Sequence, residues 1–137
     1  MVTKIFKAEL ENLATMRLFI EETANEFQAQ RKAAHEMIQA VDEAITNIIV
    51  HGYLDGPGLI ELTVERENDF LVVRIRDQAP SFDPTAVPPP DLNLPLEERP
   101  TGGLGVYFMR AYVDEIRYIA LSPGGNELTL FKRAFLP

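Results

Sequence analysis

Glu43 and Asn47 lie four residues apart in a run of helical periodicity, so both project from one face of that helix. That face is offset from the apolar stripe of Val41, Ile45 and Ile48, which keeps the pair out of the core. Magnesium takes oxygen ligands, keeps several waters and uses one or two protein groups, a role an asparagine carbonyl fits. A carboxylate one turn earlier is placed to orient or deprotonate a group attacking a γ-phosphate. Further on, Asp77 closes the apolar run Leu71, Val73 and Ile75 and opens Asp77-Gln-Ala-Pro-Ser-Phe82. An ionised carboxylate only accepts hydrogen bonds, so at a strand end beside a pocket it suits an exocyclic amine such as N6 of adenine. Ala79 is small enough for a ring to approach the backbone, and Phe82 is available as an apolar wall.

The third group is Gly102-Gly-Leu-Gly105, at a junction between a loop and a helix. Glycine permits close backbone approach, and a helix start presents free N–H groups and a favourable dipole to anions. The spacing is not the G-x-G-x-x-G of dinucleotide folds, and the lysine of a P-loop is missing. Arg99, just ahead of these glycines, is within reach of a phosphate. His35 and His51 have no Ser, Asp or second His at ligand spacing and read as structural or exposed.

The elements that must carry these groups follow from periodicity. A first strand is expected over residues 3–10 and a helix over 11–28, with Leu13, Met16, Ile20, Ala24 and Phe27 at helical spacing and Asn12 as its cap. A second helix spans 31–50 on a stripe of Met37, Ile38, Val41, Ile45 and Ile48, ending at His51-Gly52-Tyr53. Two β-rich runs, 59–66 and 70–76, meet through Glu67-Asn68-Asp69 as an antiparallel hairpin. Residues 80–101 hold seven of the ten prolines and no amphipathic pattern, the mark of a lid spanning about 80–102. A third helix is expected from about 103 to 112, then strands over 114–121 and 127–135 around Ser122-Pro-Gly-Gly125. The expected fold is a two-layer α/β (α+β) sandwich: a mixed, mainly antiparallel sheet with helices on one face.

The chain of 137 residues is 46% hydrophobic, which fits one domain over 1–137 with a true core. A net charge of −8, with only Lys4, Lys7, Lys32 and Lys132 as lysines, argues against a nucleic-acid surface and favours a protein partner with a basic face. Cysteine is absent, which removes disulfides, thiolate metal sites and thiol nucleophiles and is compatible with a reducing compartment. No basic-then-apolar leader and no apolar run near the ~20 residues of a membrane helix are found, so a cytoplasmic, membrane-free protein is expected.

The run Asp42-Glu-Ala-Ile-Thr-Asn-Ile-Ile-Val-His-Gly-Tyr53, then Asp77-Gln-Ala-Pro-Ser-Phe-Asp83-Pro, then Gly102-Gly-Leu-Gly-Val-Tyr-Phe-Met-Arg-Ala-Tyr-Val-Asp-Glu115 resembles the bacterial anti-sigma-factor serine kinases. These share a superfamily with gyrase-type ATPases and histidine kinases. The resemblance covers nearly the whole chain and implies a Bergerat-type fold with ATP held between helices and lid. It gives Glu43 the general-base role, Asn47 the magnesium role and Asp77 the adenine role, and makes Gly103 and Gly105 lid glycines on the phosphates. Ala79, Phe82, Arg99, Gly102, Leu104, Val106 and Asn126 complete the expected nucleotide-binding set. It further implies ATP and Mg2+, a sigma factor and a STAS-type anti-sigma antagonist as partners, and room for a homodimer. Two positions depart from the pattern: Ala79 stands where the superfamily usually has glycine, and Asn126 where threonine often follows the last turn glycine. The expected activity is phosphorylation of an anti-sigma antagonist together with sequestration of a sigma factor. The alternative is a non-catalytic module that uses nucleotide to shape a partner surface. Retention of Glu43 favours the kinase, and the chain has no room for the dimerising helix pair of a histidine kinase.

Overall fold

The computed structural model describes residues 1–81, 83 and 109–136. Five strands form one sheet: β1 (Val2–Lys7), β2 (Leu59–Glu67), β3 (Phe70–Asp77), β4 (Glu115–Ala120) and β5 (Asn126–Arg133). Their order is β1-β2-β3-β5-β4, and every neighbouring pair is antiparallel. Helices α1 (Leu13–Glu26) and α2 (Arg31–Asn47) pack on one face. The expected α+β sandwich is what the chain forms, with no parallel pair among the described strands.

Period-two alternation sets the inward face of the sheet. Ile60, Leu62 and Val64 of β2 and Leu71, Val73 and Ile75 of β3 are fully buried, and in register Leu62 meets Ile75 and Val64 meets Val73. Leu128 and Leu130 extend that face across β5. Met16, Ile20 and Ala24 of α1 and Met37, Ile38, Val41 and Ile45 of α2 close over it. The opposite face carries charged side chains over its buried centre: Arg74 bridges Glu65 and Glu127, and the Arg117 guanidinium lies 4.7 Å from the Phe131 ring centroid. No helix among the described residues is long and apolar enough to cross a membrane.

Element ends differ from the sequence expectation for local reasons. Strand β1 stops at Lys7, and a 3-10 turn at Leu10–Asn12 precedes α1. Asn12 makes no side-chain cap on α1, and its Nδ2 donates to Lys7 O at 3.0 Å. Helix α1 ends in a Schellman turn. Gln28 takes φ +66°, Gln28 N donates to Asn25 O and Ala29 N donates to Ala24 O. Helix α2 ends at Asn47, and a π turn over Ile48–Gly52 continues it. Ile49, one turn after the buried Ile45, is buried, whereas the expected core residue Ile48 is half-buried because it faces a cavity at the ends of α2, β3 and β5. The expected lid lies almost wholly outside the described residues, as does the start of the third helix; only its last turn, 109–112, is described.

Candidate functional site

Three element ends converge. Helix α2 packs against β3 and β5, so Asn47 at its C-terminus comes beside Asp77, the last residue of β3. Asp77 pairs in register with Asn126, the first residue of β5. Between them opens a cavity of about 380 Å³, at the small end of the ~300–1,000 Å³ usual for ligand sites. Its walls are mainly apolar, from Ala44, Ile48, Met109 and Leu128, with Asn47, His51, Asp77 and Asn126 as polar members. Ile48, His51 and Gly52 of the π turn continue along the cavity the face that Ala44 and Asn47 begin on α2.

Asp77 is 1% exposed. Its Oδ1 accepts from the Ala79 N–H and from Asn126 Nδ2, both at 2.9 Å. Oδ2 has no hydrogen bond among the described residues and is the oxygen left for a ligand donor. Burial pushes the Asp77 carboxyl above the usual carboxylate range, against the Asn126 and Ala79 hydrogen bonds, which pull it down. A donor at Oδ2 would add to that downward pull, so the site gains from a ligand that supplies one.

Backbone packing holds this corner. Gly125 has φ +106°, and a Cβ there would stand 2.4 Å from Asp77 O, so only glycine lets the β4–β5 turn lie on the Asp77 peptide. Ser81 Oγ donates to Gly125 O at 3.3 Å and ties the following segment to the same turn. A Cβ on Gly52 would stand 3.0 Å from the Ala79 methyl. The Ala79 methyl thus occupies the space that Gly52 leaves open, which is how the chain accommodates alanine at this position. On the far side, Tyr53 Oη accepts the Gln78 N–H at 2.8 Å and donates to Leu59 O at 2.8 Å, locking the residue after Asp77. Burial raises the Tyr53 phenol above its ordinary value, partly offset by its backbone hydrogen bonds.

Of the residues expected from sequence, Asn47, Asp77, Ala79 and Asn126 come together around the cavity. Glu43 is half-buried on α2, one turn before Asn47, and is not among the cavity's lining residues. Phe82, Arg99, Gly102, Gly103, Leu104, Gly105 and Val106 lie outside the described residues. Among the described residues no three His, Asp or Glu side chains are grouped to hold a metal. The donor set does fit a magnesium ion bound through one asparagine oxygen, with waters and phosphates as the other ligands. Sequence reasoning did not single out Tyr118, whose hydroxyl donates to Asn126 Oδ1 at 2.5 Å from the cavity wall. A signal was present: on β4, Ile116 and Tyr118 alternate with the exposed Glu115, Arg117 and Ile119. Tyr53 carried no comparable signal, because its partner Gln78 is 25 residues away.

The sequence profile of the histidine kinase-like ATPase domain matches residues 6–132. Serine-protein kinases RsbW from Bacillus cereus (strain ATCC 10987), Bacillus mycoides and Bacillus thuringiensis are each 32% identical over 114 residues, which is 80% of this chain and 71% of the relative. A crystal structure of the RsbU and RsbW domains of a Mycobacterium tuberculosis protein superposes with a TM-score of 0.65 at 18% identity. It covers 100% of this chain, which spans 34% of that one, and at this identity the likeness speaks for the fold alone. The chain belongs to the histidine kinase-like ATPase domain family, and within it to the RsbW-type serine-protein kinases.

Proposed function

We propose that this protein binds ATP in the cavity at the ends of α2, β3 and β5, and transfers its γ-phosphoryl group to a serine or threonine of an anti-sigma antagonist. The observation that carries the reading is Asp77: a buried carboxylate with one oxygen fixed by protein donors and the other open to an apolar cavity. That arrangement suits a flat base with an exocyclic amine, with Ala79 backing the ring. Asn47 would hold a magnesium ion, whose charge would offset that of the phosphates. Glu43, one turn back along α2, accepts the proton of the attacking hydroxyl. That oxygen bonds the γ-phosphorus, the bond to the bridging β,γ-oxygen breaks, and ADP departs. In this reading Phe82 serves the base, Arg99, Gly103 and Gly105 serve the phosphates, and Gly102, Leu104 and Val106 complete the nucleotide-binding set. Sequestration of a sigma factor, exchanged for the antagonist, is its regulatory output, and the compartment is the cytoplasm.

The test is incubation of the protein with labelled ATP and STAS-type candidate antagonists from the same genome. Label transferred to a serine or threonine of one antagonist, and lost with Asp77→Asn, supports the reading. ATP binding without transfer to any antagonist favours the second reading, a nucleotide-gated binding module. Glu43 lying off the cavity wall is the observation on the side of that second reading.

A further inference from the structure

Asn47 and His51 stand four residues apart, about one helical turn, where α2 and the π turn line the cavity. Asn47 is half-buried there, and His51 is exposed at the open side. Neither side chain makes a hydrogen bond or an ion pair with any described residue. That sets them apart from the other polar groups of the wall. Asp77, Ser81, Tyr118 and Asn126 are all bonded within the protein. The residue after His51, Gly52, closes against the Ala79 methyl, which would lie 3.0 Å from a Cβ on that glycine. Along this wall the order is therefore Asn47, then His51, then the corner of Ala79 and Asp77.

In the nucleotide reading above, on which this inference rests, the Asp77 corner takes the base and Asn47 lies on the phosphate side. A side chain between them, about 5.4 Å along the helix from Asn47, falls beside the sugar. The chemistry of the imidazole agrees with that place. A neutral histidine offers one donor and one acceptor nitrogen. A hydroxyl both donates and accepts, so it pairs with whichever nitrogen faces it. A phosphate oxygen only accepts and a ring amine only donates, so each suits one tautomer alone. We propose that His51 holds a ribose hydroxyl of the bound nucleotide and sets a preference of this site for ribonucleotides over deoxyribonucleotides. Because His51 is exposed and unbonded, its ring turns to the ligand without breaking an internal contact.

The experiment compares binding of ATP, 2′-deoxy-ATP and 3′-deoxy-ATP, each with magnesium, by calorimetry for the full chain and for His51→Ala, His51→Gln and Asp77→Asn. The wild type is expected to bind ATP about 3–10-fold more tightly than one of the two deoxy analogues, the scale of one hydrogen bond. His51→Ala should bring ATP down to the level of that analogue while leaving the analogue within about twofold. His51→Gln keeps a donor and an acceptor and should retain part of the preference. Equal binding of all three nucleotides by the wild type overturns the proposal, whether or not any variant folds. Equal weakening of all three by His51→Ala assigns the ring to packing or to the phosphates and overturns it as well. So does a wild-type preference that survives in His51→Ala. The two levels separate cleanly. A wild type that binds no ATP removes the nucleotide reading and this proposal together. ATP binding that Asp77→Asn weakens, with the three nucleotides bound equally by the wild type, removes only the role of His51.

Discussion

Asp77 and Asn126 are opposite members of one antiparallel pair, the last residue of β3 and the first of β5, and their side chains join at 2.9 Å. The contact serves stability and site chemistry at once. It satisfies one oxygen of a buried carboxylate, leaving the other as a directed acceptor on the cavity wall.

Asp77→Asn should separate binding from folding. The amide keeps an oxygen for the Ala79 and Asn126 donors but can turn an NH2 group toward the base amine, so ATP affinity should fall at least tenfold, the order of a charge-assisted bond lost. Calorimetry with ATP measures it, and unchanged affinity would remove Asp77 from the nucleotide site.

The same substitution carries a pH signature. The folded Asp77 carboxyl sits above its unfolded value, so the folded state holds that proton more tightly. The stabilisation this gives is full below the ordinary carboxylate pKa and is lost as pH rises through the raised value. Asp77→Asn lacks that loss. Its melting temperature relative to wild type, without nucleotide, should therefore be higher at pH 7 than at pH 4. A difference that stays constant over this range would mean the carboxyl is not shifted.

The Gly52–Ala79 contact should behave as a coupled pair. Gly52→Ala places a methyl 3.0 Å from the Ala79 methyl, closer than the two can pack, at a cost of ~1–3 kcal/mol for overpacking. Ala79→Gly in the same chain should recover most of it, giving a non-additive double-mutant cycle in urea melts. Additive costs would show that the two sites do not share the space.

Gly125→Ala should be worse and should not be rescued at Ala79. The new Cβ meets the Asp77 carbonyl oxygen at 2.4 Å in a backbone with φ +106°, so strain of ~1–3 kcal/mol is added to displacement of Asp77. A variant with both wild-type stability and wild-type ATP affinity would contradict the packing of this corner.

Much of this was legible in the sequence because periodicity carries it. The alternation of Leu71, Val73 and Ile75 and the Met37-to-Ile45 stripe mark β3 and α2, and Asp77 and Asn47 fall where those elements end. What was not legible depends on backbone detail or on contacts distant in sequence. Ile48 reads as core by spacing but is half-buried because it faces the cavity, which forms only when α2, β3 and β5 are assembled. Asn12 looks like a cap, but the preceding 3-10 turn brings Lys7 O within its reach. The Tyr118 bond to Asn126 and the Tyr53 bond to Gln78 exist because separate elements are laid side by side. Ala79 reads as a departure until its methyl is found over Gly52.

The division of labour along α2 gives a further expectation. Asn47→Ala removes the side-chain oxygen at the cavity wall, so the magnesium-dependent part of ATP binding should disappear while magnesium-free binding stays near wild type. Titration of ATP with and without magnesium measures this directly. Equal loss in both conditions would assign Asn47 to the base or ribose instead.

The central claim is that one turn of α2 separates chemistry from binding, with Glu43 as base and Asn47 as metal ligand. Single-turnover transfer from ATP to a serine or threonine of an antagonist, measured for wild type and Glu43→Gln beside their ATP affinities, tests it most directly. The account predicts ATP affinity within about twofold and transfer slower by ~10²–10⁴-fold in the variant, the scale of general-base catalysis. Transfer at the wild-type rate in Glu43→Gln would contradict it.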